Sequence, residues 1–348
     1  MPLSSVSQLL LRNTECLQAQ SLLLVNMPAD NLTNELATIN PSASISVFNN
    51  NLQNHQLVRH FSPNVETHFA AFYHTDSRQH DLIIMQFPKS KKELYFNLAM
   101  LAHCCSLETK ILIVGDNKGG VKSLPKMIKK HVQYCEKLDS ARHCILFELA
   151  LNELTTEFDL NEWFHFYSLN IANTDIQVAA LPGVFSQEKL DIGTSVLLNN
   201  FQPEMEGKLL DFGCGAGVIA AFYGKRNLGL DLTMADVSAL ALASAQKTME
   251  LNGLCATVIA TDSLSEVSGQ YQHVISNPPF HQGLKTHYAA TESFLEGISK
   301  HMHKNGDITI VANSFLKYSP IMEKYIGKTI KLHQEQGFSL YQAIMNKK

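Results

Sequence analysis

Asn277, Pro278, Pro279 and Phe280 stand in a row that could do chemistry on a flat nitrogen. Proline fixes φ and restricts the residue before it, so Asn277 and the carbonyl of Pro278 are held stiffly. An exocyclic amine on a base is a poor nucleophile because its lone pair is delocalised into the ring. The Asn277 amide oxygen and the Pro278 carbonyl, accepting its two N–H bonds, would favour a pyramidal nitrogen. They would also stabilise the positive charge that develops as it attacks. Phe280 offers a face on which a splayed-out base can stack. Asn-Pro-Pro also serves as a plain loop terminator, so its meaning rests on the residues that would hold the second reactant.

Those residues begin at Lys208-Leu209-Leu210-Asp211-Phe212-Gly213-Cys214-Gly215-Ala216-Gly217-Val218. An apolar run ends in an acid, three glycines follow at alternate positions, and helix formers come next. The order predicts strand, tight loop and helix, with backbone amides brought close to a ligand at a helix N-terminus. A dinucleotide fold wants G-x-G-x-x-G or A, and Val218 fills the third slot. The Gly-Lys-Ser/Thr of a phosphate-cradling loop is absent. Leu230 to Asp236 reads as the next strand, and a carboxylate 19 residues beyond Gly217 can accept from both hydroxyls of a ribose. Asp236 could instead cap the helix expected at 238–251. Ala256 to Ser263 reads as a third strand ending in Asp262, whose carboxylate could accept from an adenine amino group or simply face solvent.

The elements that must position these groups repeat. Ser21 to Pro28, ending at the proline, Ile45 to Phe48, His80 to Pro88 and Lys110 to Asp116 read as strands, with a helical stretch from Lys91 to Cys104. Leu209 to Phe212, His273 to Ser276 and Asp307 to Asn313 repeat three of them at a nearly constant offset. Strands alternating with helices indicate parallel sheets, here two copies of one architecture. The first copy has Asn26-Met27-Pro28-Ala29-Asp30 in place of the glycine loop, and is expected to cradle no cofactor. Glu157 to Leu181 reads as an irregular connector, with the boundary near Asn170. The two expected domains are therefore 1–170 and 171–348. Thr329 to Gln334 and Phe338 to Met345 read as a closing hairpin around Gly337.

Composition excludes several classes. No run approaches the ~18 apolar residues of a membrane helix, and Met1-Pro2-Leu3-Ser4-Ser5 lacks the basic start of a secretion signal. Seven cysteines without Cys-x-x-Cys argue against a zinc ribbon or a disulfide framework, and fifteen histidines lack metal spacing. A reducing cytoplasm and no metal are expected. The net charge of −4 means that any RNA is gripped locally. Lys118, Lys122, Lys126, Lys129 and Lys130 supply such a grip, with no acid between Asp116 and Glu136. Ser123 and Pro125 predict a helix start that would place Lys126, Lys129 and Lys130 on one face. A solvated helix face is the plainer alternative.

Asp-x-Gly-x-Gly-x-Gly followed by Asn-Pro-Pro-Phe is similar to class I methyltransferases that use S-adenosylmethionine and modify exocyclic or amide nitrogens. With Leu181-Pro182-Gly183-Val184-Phe185-Ser186, Leu190-Asp191-Ile192-Gly193-Thr194 and Val311-Ala312-Asn313-Ser314-Phe315-Leu316, the chain resembles the ribosomal RNA small subunit methyltransferase C family. The resemblance is close from Leu181 to Met345 and weaker before it, and Thr194 stands where that family suggests serine. It implies an α/β fold of two tandem Rossmann-like methyltransferase domains, the second a seven-stranded mixed sheet that alone binds cofactor. It also implies N2-methylation of a guanine in 16S rRNA of the assembled 30S subunit; a monomer is expected. The residues implied are Asn277, Pro278, Pro279 and Phe280 at the base, Asp211, Gly213, Gly215 and Gly217 at the methionine end, Asp236 at the ribose, and Asp262 with Ser263 at the adenine. A large-subunit 23S rRNA enzyme of the same plan, a glutamine-N5 protein methyltransferase (which typically carries Tyr for Phe280) and a non-catalytic RNA-binding or assembly factor are the rival readings.

Overall fold

Apolar strands with no polar alternation require a sheet covered on both faces, and the computed structural model shows how the cover divides. It describes residues 1–74, 80–278 and 284–346. The chain forms two compact units, Met1–Trp163 and Phe164–Lys348.

In the first unit the strands are β1 (Ser21–Val25), β2 (Ser44–Asn49), β3 (Glu66–Phe69), β4 (His80–Gln86), β5 (Cys105–Asp116), β6 (Val132–Ala141) and β7 (Cys144–Leu151). Between them run α1 (Ser5–Leu11), α2 (Leu32–Ile39), α3 (Leu52–Phe61), α4 (Lys91–Ala102) and α5 (Leu124–Ile128). They form one sheet in the order β3-β2-β1-β4-β5-β7-β6. Successive side chains of a strand point to opposite faces. Leu22, Leu24, Leu82 and Ile84 accordingly join one core with Leu9 and Leu10 of α1. Leu23, Val25, Ile83 and Met85 join the other with Leu94 and Leu98 of α4.

The second unit opens with a separate hairpin, β8 (His165–Ile171) and β9 (Thr174–Ala180). Its main strands are β10 (Gly207–Phe212), β11 (Leu230–Asp236), β12 (Thr257–Ala260), β13 (Tyr271–Ser276), β14 (Met302–Asn313), β15 (Thr329–Glu335) and β16 (Phe338–Ile344). The helices are α6 (Ile192–Asn200), α7 (Val218–Arg226), α8 (Ala239–Leu251), α9 (Leu284–Ser299) and α10 (Tyr318–Tyr325). The order is β12-β11-β10-β13-β14-β16-β15, the first sheet strand for strand. Only the last pairings, β14 with β16 and β16 with β15, are antiparallel. Chain order reverses at β10, between β11 and β13, where an open sheet leaves a crevice beyond its strand ends.

Three expectations need correction. The segment read as an irregular connector contains the β8–β9 hairpin. The strand β3 and the hairpin β6–β7 were not anticipated. The lysine helix stops at Ile128, so Lys129 and Lys130 stand in the turn before β6 and share no helix face with Lys126. Ser123 does hold the N-cap position, with Pro125 in the first turn, but its hydroxyl makes no capping bond and donates to Gly120 O at 2.7 Å. Pairing of β6 along β7 draws the chain out of the helix after little more than a turn.

Candidate active site

β10 delivers the chain to the glycine loop. Gly213, Gly215 and Gly217 have φ of 72, 53 and 76°, the left-handed region that L side chains resist. The Gly213 and Cys214 amides both donate to Ala235 O of β11, at 2.8 and 3.1 Å. A Cβ on Gly217 would sit 3.0 Å from the Cα of Ala245, whereas one on Gly215 would meet nothing within 4 Å. Gly217 therefore lets α7 and α8 approach, and Gly215 leaves bare backbone facing open space. Cys214 is buried, and burial, then Asp236 and Asp211, push its thiol well above the ordinary range.

Asp211 is placed differently from expectation. It lies fully buried beneath the loop, off the crevice wall, and its Oδ2 accepts from the Ala220 amide of α7 at 3.1 Å. Its Oδ1 meets no donor among the described residues. Burial raises its carboxyl to about 7. Asp236 does face the crevice. Its carboxylate accepts from Gly215 N at 3.0 Å and Ser238 N at 2.9 Å, and burial raises its pKa. The cap of α8 is Ser238, whose hydroxyl accepts from Ala241 N at 3.3 Å, so Asp236 is not needed there. Asp262 is exposed at the crevice rim beyond β12, and Ser263 donates to its Oδ1 at 3.2 Å without reaching the wall itself.

Asn277 follows β13 directly and lines the same crevice as Gly213, Gly215 and Asp236. Its Nδ2 donates to Asp191 Oδ1 at 3.1 Å and to Thr194 Oγ1 at 3.0 Å. Asp191 also caps α6 by accepting from Thr194 N at 3.0 Å. A carboxylate only accepts, so the amide nitrogen has to face it and the oxygen has to face away. Pro278 is buried at the strand's end. Pro279 and Phe280, the other two residues expected at the base, lie outside the described residues.

A further part of the wall comes from the β8–β9 hairpin and the chain that follows it. Ala179 N donates to Thr248 Oγ1, and Leu181 N to Ser244 Oγ, both at 3.0 Å, fastening β9 to α8. The chain then carries Gly183, Val184 and Phe185 into the crevice wall. Tyr167 of β8 donates to Ser186 O at 3.0 Å, and burial, then Asp191, push its phenol to about 12, which keeps it a donor. The resulting crevice has a volume of about 320 Å³, the size of a small-molecule site. Asp191, Thr194 and Tyr167 were not singled out by role, although the spacing Asp-x-x-Thr at a helix start is a readable cap.

An adenosyl cofactor fits this arrangement. Bare backbone at Gly213 and Gly215, a carboxylate at the end of β11 and another beyond the end of β12 are groups of the kind its methionine, ribose and adenine parts call for. Among the described residues no three His, Cys, Asp or Glu side chains converge as metal ligands, and no helix is long and apolar enough to cross a membrane. The five lysines belong to the first unit and are all exposed.

The Methyltransferase small domain family matches residues 175–342, and its N-terminal companion, Methyltransferase small domain N-terminal, matches residues 7–167. A protein named Ribosomal RNA small subunit methyltransferase C from Colwellia psychrerythraea is 50% identical, covering 99% of this chain and 98% of its own. One of the same name from Vibrio vulnificus is 41% identical over 86% of this chain and 87% of its own. Among solved structures, a T. thermophilus 16S rRNA N2 guanine methyltransferase, in complex with AdoMet and guanosine, superposes with a TM-score of 0.80. It covers 96% of this chain and 92% of its own at 18% identity, a likeness of fold across both units.

Proposed function

The chain belongs to the ribosomal RNA small subunit methyltransferase C family, and from that membership we infer that it transfers a methyl group from S-adenosylmethionine to the exocyclic N2 of a guanine in 16S rRNA. The observation that carries this reading is the placement of Asn277 in one crevice with the glycine loop, its oxygen turned away from the groups that hold its nitrogen.

Gly213 and Gly215 are proposed to hold the methionine end, Asp236 the ribose hydroxyls, and Asp262, supported by Ser263, the adenine edge. Asp211 and Gly217 serve from behind, the first bracing α7 and the second letting it approach α8 closely. Bound there, S-adenosylmethionine supplies an electrophilic methyl on a charged sulfonium leaving group. The residues then need no strong base; their work is orientation and charge stabilisation. Asn277 Oδ1 and the Pro278 carbonyl accept the two N2 hydrogens, and Phe280 stacks on the base. The substrate is taken to be the assembled 30S subunit, met in the cytoplasm by a monomer, with Lys118, Lys122, Lys126, Lys129 and Lys130 of the first unit docking on rRNA phosphates.

Incubation with labelled cofactor and separate 30S subunits, 50S subunits and naked 16S rRNA tests this. N2-methylguanosine is expected on 30S. Label confined to 50S, or to none of the three, overturns the assignment. Asn277→Ala should lower kcat by about 10²–10³-fold, the usual cost of one such polar group, with cofactor affinity retained.

A further inference from the structure

We propose that Asp191 and Thr194 are positioning residues that lock the Asn277 amide as an acceptor, so that the site takes a nitrogen bearing hydrogens and refuses the acceptor atoms of a base. The proposal rests on the methyl-transfer reading and deepens it.

An asparagine amide presents an oxygen or, flipped, an NH₂ to whatever lies before it. The flipped form would welcome a ring nitrogen or a carbonyl oxygen of guanine, and would bring the wrong atom to the reacting position. Here the flip is blocked. Both Nδ2 hydrogens are engaged, by Asp191 Oδ1 at 3.1 Å and Thr194 Oγ1 at 3.0 Å. Turning the amide would set its oxygen against the Asp191 carboxylate and forfeit that charge-assisted bond, while the Thr194 hydroxyl, able to donate as well as accept, holds the plane of the amide beside it. Thr194 is 6% exposed, so water replaces its hydroxyl poorly. Asp191 is itself fixed by the Thr194 amide at the start of α6. The two anchors thus reach Asn277 from a helix start far earlier in the chain, with Asp191 at a separation of 86 and Thr194 at 83. Accepting from the nitrogen also polarises the amide, which strengthens Oδ1 as the acceptor facing a nitrogen that gains positive charge.

Asp191 caps α6 as well, so its loss has a structural component that the variants must separate. Asp191→Asn keeps a good cap residue but adds an NH₂ that tolerates either amide orientation. Thr194→Val removes one acceptor at nearly constant shape, and Thr194→Ser returns it. Steady-state methylation of 30S subunits, cofactor affinity by titration and thermal midpoint are measured for each. Asp191→Asn and Thr194→Val are expected to lower kcat by about 10-fold or more, within the range that misplacement of a reacting group produces. Cofactor Kd should stay within about twofold and the melting midpoint within a few degrees, and Thr194→Ser should recover most of the kcat that Thr194→Val removes. Wild-type kcat in Asp191→Asn and Thr194→Val overturns the proposal, as does a decline that tracks stability or cofactor affinity. A wild-type protein inactive on every ribosomal substrate defeats the underlying reading and this one with it; an active wild type with indifferent variants defeats the lock alone.

Discussion

At the scale of single residues, the site combines groups whose type announces their work with groups whose work depends on a distant partner. Asn277 and the three glycines are of the first kind, because a proline-locked amide and three left-handed positions leave few alternatives. Asp191 is of the second, since its meaning comes from an asparagine 86 residues away and no local pattern joins them. Asp211 reads in sequence as a ligand-binding acid and is in the fold a buried brace, because the strand carrying it ends one residue later. Its environment has a measurable consequence. The unfolded chain releases this proton near 3.8 and the folded chain only near 7. The folded state therefore binds more protons across that window, and stability falls as pH rises through it, with the full penalty present above pH 7. Between pH 5 and 8 the wild type should lose about 2–3 kcal/mol relative to Asp211→Asn, which has nothing to ionise. Urea denaturation of both proteins at the two pH values checks this; parallel stabilities would show that Asp211 ionises freely in the fold.

Among the elements, what could be foreseen follows the backbone chemistry of the turns. The β15–β16 hairpin was legible because its two-residue turn, Gln336-Gly337, uses a glycine at φ 82°. The β6–β7 and β8–β9 hairpins make turns of the same left-handed sort from Arg142-His143, at φ 52 and 62°, and from Ala172-Asn173, at φ 47 and 61°. Such turns ordinarily signal themselves by Asn-Gly or Asp-Gly, and here that signal is missing. The polar, half-exposed β6 and β8 gave no apolar run to compensate, although β7, with Ile145, Leu146, Phe147, Leu149 and Leu151, carries one. The consequence matters for the site, since the unforeseen β8–β9 hairpin carries part of the crevice wall. It also leaves strain to relieve. Ala172→Gly removes the Cβ conflict of a left-handed alanine and should stabilise the protein by about 1 kcal/mol, net of the added freedom of glycine when unfolded. Chemical denaturation reads the change, and a destabilised variant would mean that the turn carries no such strain.

In the whole molecule, one architecture is used twice, and the copies agree down to single bonds. Asn26 N donates to Phe48 O in the first unit as Gly213 N donates to Ala235 O in the second, each at 2.8 Å and each from a left-handed residue. They part immediately afterwards. Asn26 turns its side-chain oxygen to the Asn50 amide at 2.9 Å, and Met27 and Pro28 follow, one buried and the other without an N–H. The open glycine backbone of one copy is thereby replaced in the other by side chains and a proline, which leaves the first unit free for a different task. The proposed task is rRNA docking, through exposed lysines spread over two 3-10 turns, a short helix and the turn after it. Lys122→Glu, Lys126→Glu and Lys130→Glu together should weaken binding to 30S subunits and lower the slope of log affinity against log salt by about 3, roughly one for each phosphate left unneutralised. Cofactor affinity, a property of the second unit, should not change. An unaltered salt slope in the triple variant would leave the lysines as a solvated surface and require another grip on an rRNA that a chain of net charge −4 does not attract as a whole.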